Sequence, residues 1–340
     1  MRTALITTTV NVPTVLALYR KLGPDVRFFV ALDKNTPEAA VNFCQYDIPN
    51  CKVLYIQDQQ KWRCSELLAW NNDSRRNIAL LEAVRWGADI IVSIDDDMIP
   101  VDIDFFERIE MTLSEPYLGL QYGAPDTWCD VGILTDQQAP QRGLPAGPYA
   151  PINRCFSFTT DAAIGAMQGI ILGVPDTDAA TTMQYKPFVR SATDILRSGF
   201  VINPQAKAVF NSQITAFRRE LAPCFAQFYK WQSRNTDIFA SLVMRRVMRE
   251  RGLYTYFGPP AGFHNRSERD PRKDLEAEAW GMDNIVAFER CLNETDLHAG
   301  DSVAAHTGYL YDAVAGQTGI VSVDMLGAVF AFLDDMRTVL

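Results

Sequence analysis

The chain has 340 residues, of which 48% are hydrophobic and 21% are charged, the composition of an ordinary globular protein that can bury a sizeable core. The 32 Lys and Arg against 41 Asp and Glu give a formal net charge of −9, which argues against a general binder of polyanions. The seven cysteines include no Cys-x-x-Cys pair, so they fit a reducing cytoplasm better than a disulfide framework, and no zinc knuckle is visible. No run approaches the roughly 18 uncharged apolar residues of a transmembrane helix, so we expect no membrane span.

Strand-like and helix-like segments alternate through the first hundred residues. Apolar, β-rich runs predict strands, and apolar residues spaced three or four apart predict helices. The predicted strands are residues 3–9, 26–32, 52–57 and 88–94. The predicted helices are residues 12–23, 36–44 and 73–87. This alternation predicts an α/β fold with a mostly parallel sheet flanked by helices, in which ligands bind beyond the carboxyl ends of the strands.

The second half of the chain gives a less regular pattern. A stretch rich in Pro, Gly and Gln at about 125–150 predicts a long loop. Apolar segments follow around 164–174 and 207–217, and a helix is predicted from about 235 to 251. We expect one large domain, with this loop as its best internal division.

Three adjacent aspartates, Asp95, Asp96 and Asp97, directly follow the apolar segment IIVSI. Adjacent ionised carboxylates repel each other, and a divalent cation such as Mg²⁺ or Mn²⁺ offsets that repulsion while bridging carboxylates to substrate phosphates. In an extended segment Asp95 and Asp97 point to one side and Asp96 to the other, so the outer pair can hold the metal. The alternative is a solvated acidic turn, but the position at the end of a strand favours a binding site.

Five short segments, in order along the chain, carry a resemblance to a known family. They are SIDDD at 93–97, VPDTDAATTMQ at 174–184, ITAFRREL at 214–221, TDIFASL at 236–242 and PAGFHNRSERDP at 260–271. The chain resembles the nucleotide-sugar glycosyltransferases of GT-A fold, and more narrowly the reversibly glycosylated polypeptides, or UDP-arabinopyranose mutases. The corresponding segments of that family are TIDDD, IPDYDAPTQ, NLAFDREL, DDMFAGW and PYIYHSKASNP. Order and approximate spacing are kept from residue 3 to about residue 290.

The resemblance implies a GT-A-like (Rossmann-like) fold in one large domain. Residues 1–120 would form the half that binds the nucleotide sugar, residues 121–295 the acceptor and catalytic half, and residues 296–340 a C-terminal helical extension. It also implies a UDP-sugar as donor, Mn²⁺ or Mg²⁺ as cofactor, and a hydroxyl group as acceptor. Oligomeric state, sugar and stereochemical outcome stay open.

The resemblance assigns roles to particular residues. Nucleotide or sugar contacts fall on Thr8, Asp33, Arg76, Asn77, Asp95 and Asp96. Metal ligands fall on Asp95, Asp97 and His264. Asp237 becomes the candidate catalytic base or a ligand of a sugar hydroxyl.

Each of these assignments has a plainer alternative in the residues themselves. Asp237 could simply cap the helix that follows it. His264, one of three histidines, could be structural, although its Gly- and Pro-rich loop and basic neighbours fit a ligand. Arg75 and Arg76 could lie on an ordinary solvated helix face.

The chain departs from the family at one motif. The family carries RGYPFSLREG, whose arginines serve its self-glycosylation and mutase activity, and the best match here is INRCFSFTTD at 152–161. The first family arginine falls on Ile152 and the second on Thr159, while Arg154 lies two positions away. We therefore expect transfer to a separate hydroxyl acceptor, with a pyranose–furanose mutase and a catalytically silent GT-A-like binding protein as alternatives.

Charge is uneven along the chain. Residues 218–273 hold twelve basic and five acidic residues, a local excess of seven positive charges in a chain of net charge −9. The favoured interpretation is a solvated helix face together with contacts to a diphosphate. The alternative is an anionic acceptor, such as DNA whose flipped hydroxymethylated base receives the sugar.

Overall fold

A computed structural model describes residues 1–151, 156–266 and 270–340. Ile152 and Arg154, which bear on the comparison with the mutase motif, lie outside the described residues. In the described part the strands are β1 Thr3–Thr9, β2 Arg27–Leu32, β3 Cys51–Leu54, β4 Ile90–Ile94, β5 Met98–Pro100, β6 Tyr117–Tyr122, β7 Phe156–Ala162, β8 Ile164–Gly173, β9 Phe200–Ile202, β10 Ile214–Arg218 and β11 Tyr254–His264.

Short 3₁₀ turns, and one π-helical turn at 43–47, connect many of the longer elements. The α-helices are α1 Leu16–Leu22, α2 Glu38–Asn42, α3 Ile56–Gln59, α4 Arg76–Trp86, α5 Phe105–Ser114, α6 Ala179–Tyr185, α7 Asp194–Ser198, α8 Tyr229–Gln232, α9 Thr236–Glu250, α10 Pro271–Glu294, α11 Val303–Thr318 and α12 Val323–Arg337. The α/β fold with helices flanking a sheet, predicted from the alternating pattern, is confirmed.

The described strands form one eleven-stranded sheet in the order β3-β2-β1-β4-β10-β8-β11-β9-β6-β7, with β5 paired to β11. The strands β3, β2, β1 and β4 are parallel to one another. The chain builds outward from β1 to β3 and then returns to place β4 on the other side of β1. This reversal is a topological switch point, where the loops after two neighbouring strands diverge and leave a crevice.

Antiparallel pairing enters beyond β4, through β10, which runs against both β4 and β8. β11 is parallel to β8, so the carboxyl ends of β1, β4, β8 and β11 all reach the same edge of the sheet. The sheet therefore joins the two halves of the chain into one unit. Residues from both halves meet where these strands end.

The side chains of the sheet face two cores. Along β1, Ala4 and Ile6 pack into one core and Leu5 into the other, as the alternation of a strand requires. Burying a side chain such as Leu5 contributes about 1.5–3 kcal/mol, which is why residues 4–6 of β1, covered on both faces, are all apolar.

The predicted elements of the first hundred residues differ from the observed ones mainly at their ends. The first strand is observed as predicted, and the helix predicted to end at Gly87 does end there, with Gly87 at φ +85°. The strand predicted over 52–57 ends at Leu54 instead. The carboxylate of Asp58 accepts a hydrogen bond from the backbone N–H of Tyr55 at 3.1 Å. This capping contact starts helix α3 where the sequence predicted the end of the strand.

The last helix, α12, packs back onto the N-terminal half. Arg63 pairs with Asp334 at 3.0 Å, and Asp335 accepts the backbone N–H of Cys64 at 2.8 Å. None of the described helices is both long and apolar enough to cross a membrane.

Candidate functional site

A cleft of about 310 Å³ opens at the switch point, beyond the carboxyl ends of β1 and β4. One wall comes from the end of β1 and from residues 71–73, which precede α4. The opposite wall comes from the start of α9, the end of β11 and Arg142 of the long loop. The cleft therefore joins segments that are more than 200 residues apart in sequence.

The three adjacent aspartates form a turn at the floor of this cleft. β4 ends at Ile94, and the backbone N–H of Met98 donates to the carbonyl of Asp95 at 3.2 Å. Because the segment is a turn and not an extended strand, the alternation expected for its side chains does not hold. Asp95 pairs with Arg76, Asp96 accepts a short hydrogen bond from Thr9, and Asp97 faces His264.

Asp96, the middle carboxyl group of the turn, has a shifted pKa. Burial raises its pKa to about 6, and the neighbouring charges of Asp95 and Asp97 add to that effect, while the hydrogen bond from Thr9 opposes it. Asp96 thus has its own protein partner on β1. We infer that it helps to fix the turn, and it also lines the cleft.

His264 reaches Asp97 because of strand register. His264 ends β11 and lies opposite Met98, the residue after Asp97, in the antiparallel pairing of β11 with β5. Its Nε2 lies 3.4 Å from Asp97 Oδ2, while Nδ1 lies 2.8 Å from the carbonyl of Val174. Burial alone would lower the pKa of His264, but the hydrogen bond and charge of Asp97 raise it.

The pair formed by Asp97 and His264 has the chemistry of a two-ligand metal site. The Val174 carbonyl can only accept, so Nδ1 carries a hydrogen and donates a hydrogen bond to it. In the imidazolium Nε2–H then faces the Asp97 carboxylate, and loss of that proton leaves a lone pair on Nε2 that can ligate a metal ion. Among the described residues no group of three or more His, Cys, Asp or Glu side chains gathers closely enough to hold an ion. The expected set of Asp95, Asp97 and His264 is therefore not assembled as three ligands, because Asp95 is engaged by Arg76.

Arg76 is buried, with 3% of its surface exposed, and not on a solvated helix face. Its Nη2 donates to Asp95 Oδ1 at 2.6 Å and its Nη1 to Ser212 Oγ at 2.5 Å. The opposite charge of Asp95 keeps the guanidinium protonated against the cost of burial, which alone would lower its pKa. Arg75 is buried too, but it does not line the cleft. It lies against the ring of Trp70 and donates to backbone carbonyls such as that of Leu68, so its role is structural.

Asn77 does not reach the cleft. Its amide donates to the carbonyl of Gln227 at 2.8 Å and accepts the backbone N–H of Gln227 at 2.8 Å. This reciprocal pair ties α4 to the segment before α8. The prediction that Asn77 contacts the nucleotide is therefore corrected, since its position one residue along the helix from Arg76 turns it toward the core.

Thr8 and Asp33 both line the cleft, and both are already engaged by backbone groups. Thr8 donates to the carbonyl of Ala31 at 2.8 Å. Asp33 accepts the backbone N–H of Asn71 at 2.7 Å through one oxygen and that of Lys34 at 2.6 Å through the other. Asp33 thus shapes the loop at 71–73 that forms one wall.

Asp237 lies in the first turn of α9 and shares a buried arginine with Asp176. Arg142 holds Asp176 by two parallel bonds, Nε to Oδ1 at 2.9 Å and Nη2 to Oδ2 at 3.0 Å. Its Nη2 also donates to Asp237 Oδ2 at 3.0 Å. Asp237 Oδ1 accepts the backbone N–H of Ile238 at 2.9 Å, so the residue both supports the helix start and faces the cleft.

The two carboxylates that share Arg142 differ electrostatically. Burial alone would raise the pKa of Asp176, but the bidentate guanidinium holds it well below the ordinary range. Burial raises the pKa of Asp237, and the charges of Asp176 and Asp73 add to the rise, while Arg142 opposes it. Asp237 is therefore the one of the two that is better suited to take up a proton.

A second set of ion pairs continues the wall. Arg234 donates to Glu278 at 3.0 Å and pairs with Asp274 at 3.2 Å, and Arg266 donates to Asp274 at 3.0 Å. Of the twelve basic residues counted between 218 and 273, only Arg234 and Arg266 line the cleft among those that the structure describes. The local positive excess in sequence is thus spread over several faces of the protein.

The cleft carries an excess of negative charge. Among the described residues that line it are eight aspartates and four arginines, a formal excess of four negative charges. The aspartates are Asp33, Asp73, Asp95, Asp96, Asp97, Asp176, Asp237 and Asp274. A phosphorylated ligand could enter such a cleft only with a compensating cation.

Charged residues of the cleft that the sequence did not predict as site residues include Arg142, Asp176, Arg234 and Arg266. Arg142 had a recognisable signal, since it is the one basic residue in the loop at 123–150 and directly precedes a glycine. Asp176 lies within VPDTDAATTMQ, whose resemblance to the family assigns no role to its acids. Arg234 and Arg266 lie within the basic stretch 218–273, whose charge excess does not single them out.

No protein-family model matches the chain, and no curated protein sequence matches it. Solved structures that it resembles include a mannosyltransferase from Pyrobaculum calidifontis in complex with GDP-mannose and Mn²⁺, at 13% identity over 97% of this chain and 85% of that chain, with a TM-score of 0.37. Another is a mannose-1-phosphate geranyltransferase from Thermus thermophilus, at 13% identity over 88% of this chain and 81% of that chain, with a TM-score of 0.29. At such low scores the function has to be argued from the cleft itself.

Proposed function

We propose that the chain is a metal-dependent glycosyltransferase that moves a sugar from a nucleoside diphosphate sugar to a hydroxyl acceptor. The observation that carries this proposal is the pairing of Asp97 with His264, with Nε2 and Oδ2 3.4 Å apart, in an acidic cleft at the switch point of the sheet. Clefts at that position of an α/β sheet are where nucleotides bind. The segments SIDDD and PAGFHN, on which the resemblance to GT-A enzymes rests, supply the two residues.

Asp97 and His264 would hold Mn²⁺ or Mg²⁺, one through a carboxylate oxygen and the other through Nε2. Two protein ligands suffice for such an ion when phosphate oxygens of a substrate complete its shell. When bound, the ion supplies the positive charge that stabilises the departing nucleoside diphosphate. The formal excess of four negative charges supports the same conclusion, since the cleft needs a cation before it can accept a diphosphate.

Other residues of the cleft position the carboxylates or take up the proton of the acceptor hydroxyl. Arg76 fixes Asp95 at the edge of the diphosphate position through its 2.6 Å bond. Asp237 is the candidate base, since it faces the cleft and its pKa is raised by burial. Arg142 holds the Asp237 carboxylate in place and so acts as a positioning residue.

A UDP-sugar is the expected donor on the strength of the sequence resemblance. The acceptor is a hydroxyl group, and hydroxymethylated DNA is one candidate. The cleft gives that candidate no particular support, because Arg234 and Arg266 are both paired with Asp274 and leave little free positive charge for a polyanion.

Calorimetric titration with UDP, GDP and their sugar conjugates, with and without Mn²⁺, tests the proposal. We expect a UDP-sugar to bind tightly only when Mn²⁺ is present. Asp97→Asn or His264→Gln should abolish this tight binding even with Mn²⁺. His298→Gln, at an exposed histidine, is the matched control and should behave as wild type. Metal-independent binding, or unchanged binding in Asp97→Asn, would sink the proposal.

A second measurement separates transfer from the alternatives. Purified protein with the donor that binds should slowly hydrolyse it and should add the sugar to an acceptor, detected by mass spectrometry over a panel that includes hydroxymethylated DNA. Tight binding without hydrolysis or transfer would indicate a silent binding protein. Ring interconversion of the free donor would indicate a mutase.

A further inference from the structure

A second, smaller cavity lies further along α9. Its volume is 30 Å³, a tenth of that of the main cleft. The charged side chains that line it are Lys207, Arg245, Arg246, Arg249 and Glu289. Arg245 to Arg249 follow Asp237 by eight to twelve residues, which places them about 12–18 Å along the helix axis from the cleft. The cavity is therefore separate from the candidate catalytic site.

The lining of this cavity is strongly basic. Among the described residues that line it, four are cations and one, Glu289, is a carboxylate. Glu289 pairs with Lys207 at 3.0 Å, so its charge is already offset. The carboxylates nearby outside the lining are Glu250, which pairs with Arg246 at 3.2 Å, and Asp126. Positive charge in the cavity thus exceeds the negative charge that faces it.

The arginines of the cavity differ in their partners, and only Arg246 among the described ones forms an ion pair with a carboxylate. Arg245 donates to neutral oxygens, the carbonyl of Ala206 at 2.8 Å and Thr255 Oγ1 at 2.9 Å. The guanidinium of Arg249 makes no hydrogen bond and no ion pair with any residue that the structure describes. Burial lowers the pKa of both arginines, and a neighbouring arginine charge adds to this effect while the charge of Glu289 opposes it. Half-buried like charges that repel one another are stabilised when an anion sits between them.

We propose that this cavity is an anion site that takes one phosphate group, as free phosphate or as a small phosphate monoester. A volume of 30 Å³ corresponds to about two water positions, which admits one or two oxygens of a phosphate group and excludes a nucleotide sugar. Arg249 offers a planar fork of free donors, the geometry that phosphate oxygens match. Lys207 is a further cation of the lining, where it also offsets the charge of Glu289. The site does not depend on the proposed function of the main cleft.

Calorimetric titration of inorganic phosphate into the full chain tests this inference. We expect one phosphate per chain for wild type, and binding weaker by roughly tenfold to hundredfold in Arg249→Gln, the loss typical of one charge-assisted contact. Lys207→Gln should weaken binding in the same direction. Arg290→Gln, which removes an exposed arginine beside the cavity but outside its lining, is the matched control and should bind as wild type.

Methyl phosphate in a parallel titration distinguishes the source of the anion. Equal binding of both would assign the site to a phosphoryl group in general, and binding of inorganic phosphate alone would assign it to the free ion. Phosphate should also raise the melting temperature of wild type but not of Arg249→Gln. Absence of phosphate binding, or binding that Arg249→Gln and Lys207→Gln leave unchanged, would overturn the inference.

Discussion

Arg76 donates to Asp95 Oδ1 at 2.6 Å from a position where the arginine is almost entirely buried. A guanidinium taken out of water is costly unless an opposite charge meets it, and Asp95 provides that charge at the edge of the cleft. The first residue of α4 is thereby fixed to the turn that follows β4. This contact sets the position of the acidic turn relative to the helix.

We expect Arg76→Met to lower the free energy of unfolding by about 2–3 kcal/mol, because it leaves Asp95 without its partner. Asp95 is 28% exposed, which keeps the loss below that of a fully buried pair. In a double-mutant cycle with Asp95→Asn, the coupling should be about 1–2 kcal/mol. Urea unfolding of wild type, the two single variants and the double variant measures this coupling energy. Additive effects would show that the two residues do not stabilise each other.

Asp237→Asn is expected to lower kcat by about 10²–10⁴ while leaving the KM for the donor nearly unchanged, since an amide cannot take a proton from the acceptor. Asp176→Asn is the contrasting variant, because Asp176 is the bidentate partner of Arg142. It should lower stability more than Asp237→Asn does, with a smaller effect on kcat. Steady-state kinetics and urea unfolding of both variants check this, and the reverse pattern would assign the base to Asp176.

The α/β fold could be predicted from the first hundred residues because hydrophobic periodicity reports directly on strands and helices. Element ends were harder to predict, as at Tyr55, where one side-chain cap from Asp58 converts strand into helix. The sheet order beyond β4 depends on pairings such as β10 with β4, which join residues more than 100 positions apart. No local pattern encodes such contacts.

The site residues, too, could be predicted where a local pattern marks them and not where they depend on long-range contacts. Adjacent acids after a strand gave Asp97, and a short motif gave His264, but only the β5–β11 register brings the two together. The pairing of Asp95 with Arg76, and the rotation of Asn77 away from the cleft, depend on where α4 begins. Arg142 stands out as the one basic residue of its loop, but its sequence position does not show that it contacts Asp176 and Asp237.

Gly143 holds the loop that carries Arg142 against α9. Its φ is +81°, and a Cβ there would stand 2.4 Å from Ile238 Cγ2. Gly143→Ala should therefore lower stability by about 2–4 kcal/mol and also reduce transfer, because the loop must move and take Arg142 with it. Urea unfolding and steady-state kinetics measure the two effects.

Gly147 in the same loop provides the matched control. It also has a positive φ, +66°, but no heavy atom lies within 4 Å of the Cβ position. Gly147→Ala should lower stability by about 1 kcal/mol, from backbone strain alone, and leave transfer unchanged. Equal effects at both glycines would mean that contact with Ile238 is not what holds the loop.

Glu82, on α4, is buried and receives three cations, Lys52 and Arg85 at 2.6 Å each and Lys61 at a shorter distance. Burial alone would raise the pKa of Glu82, but hydrogen bonds from these cations lower it to about 2, from an ordinary value of 4.5. A carboxyl whose pKa is lower in the folded state stabilises the protein above its unfolded pKa, and that contribution is lost as pH falls from about 4.5 toward 2.

We expect Glu82→Gln to lower the free energy of unfolding by about 2 kcal/mol at pH 7, a figure reduced from the full shift because the cations are partly exposed and screened. The difference in unfolding free energy between Glu82→Gln and wild type should persist at pH 6. It should narrow as the pH falls from 4.5 to 3, because the unfolded state then binds a proton at Glu82 that the folded state does not. Urea midpoints at pH 7, 6, 4.5 and 3.5 measure the trend. Glu107→Gln, at an exposed glutamate of α5, should show little difference at any pH, and a gap for Glu82→Gln that stays constant down to pH 3.5 would contradict the lowered pKa.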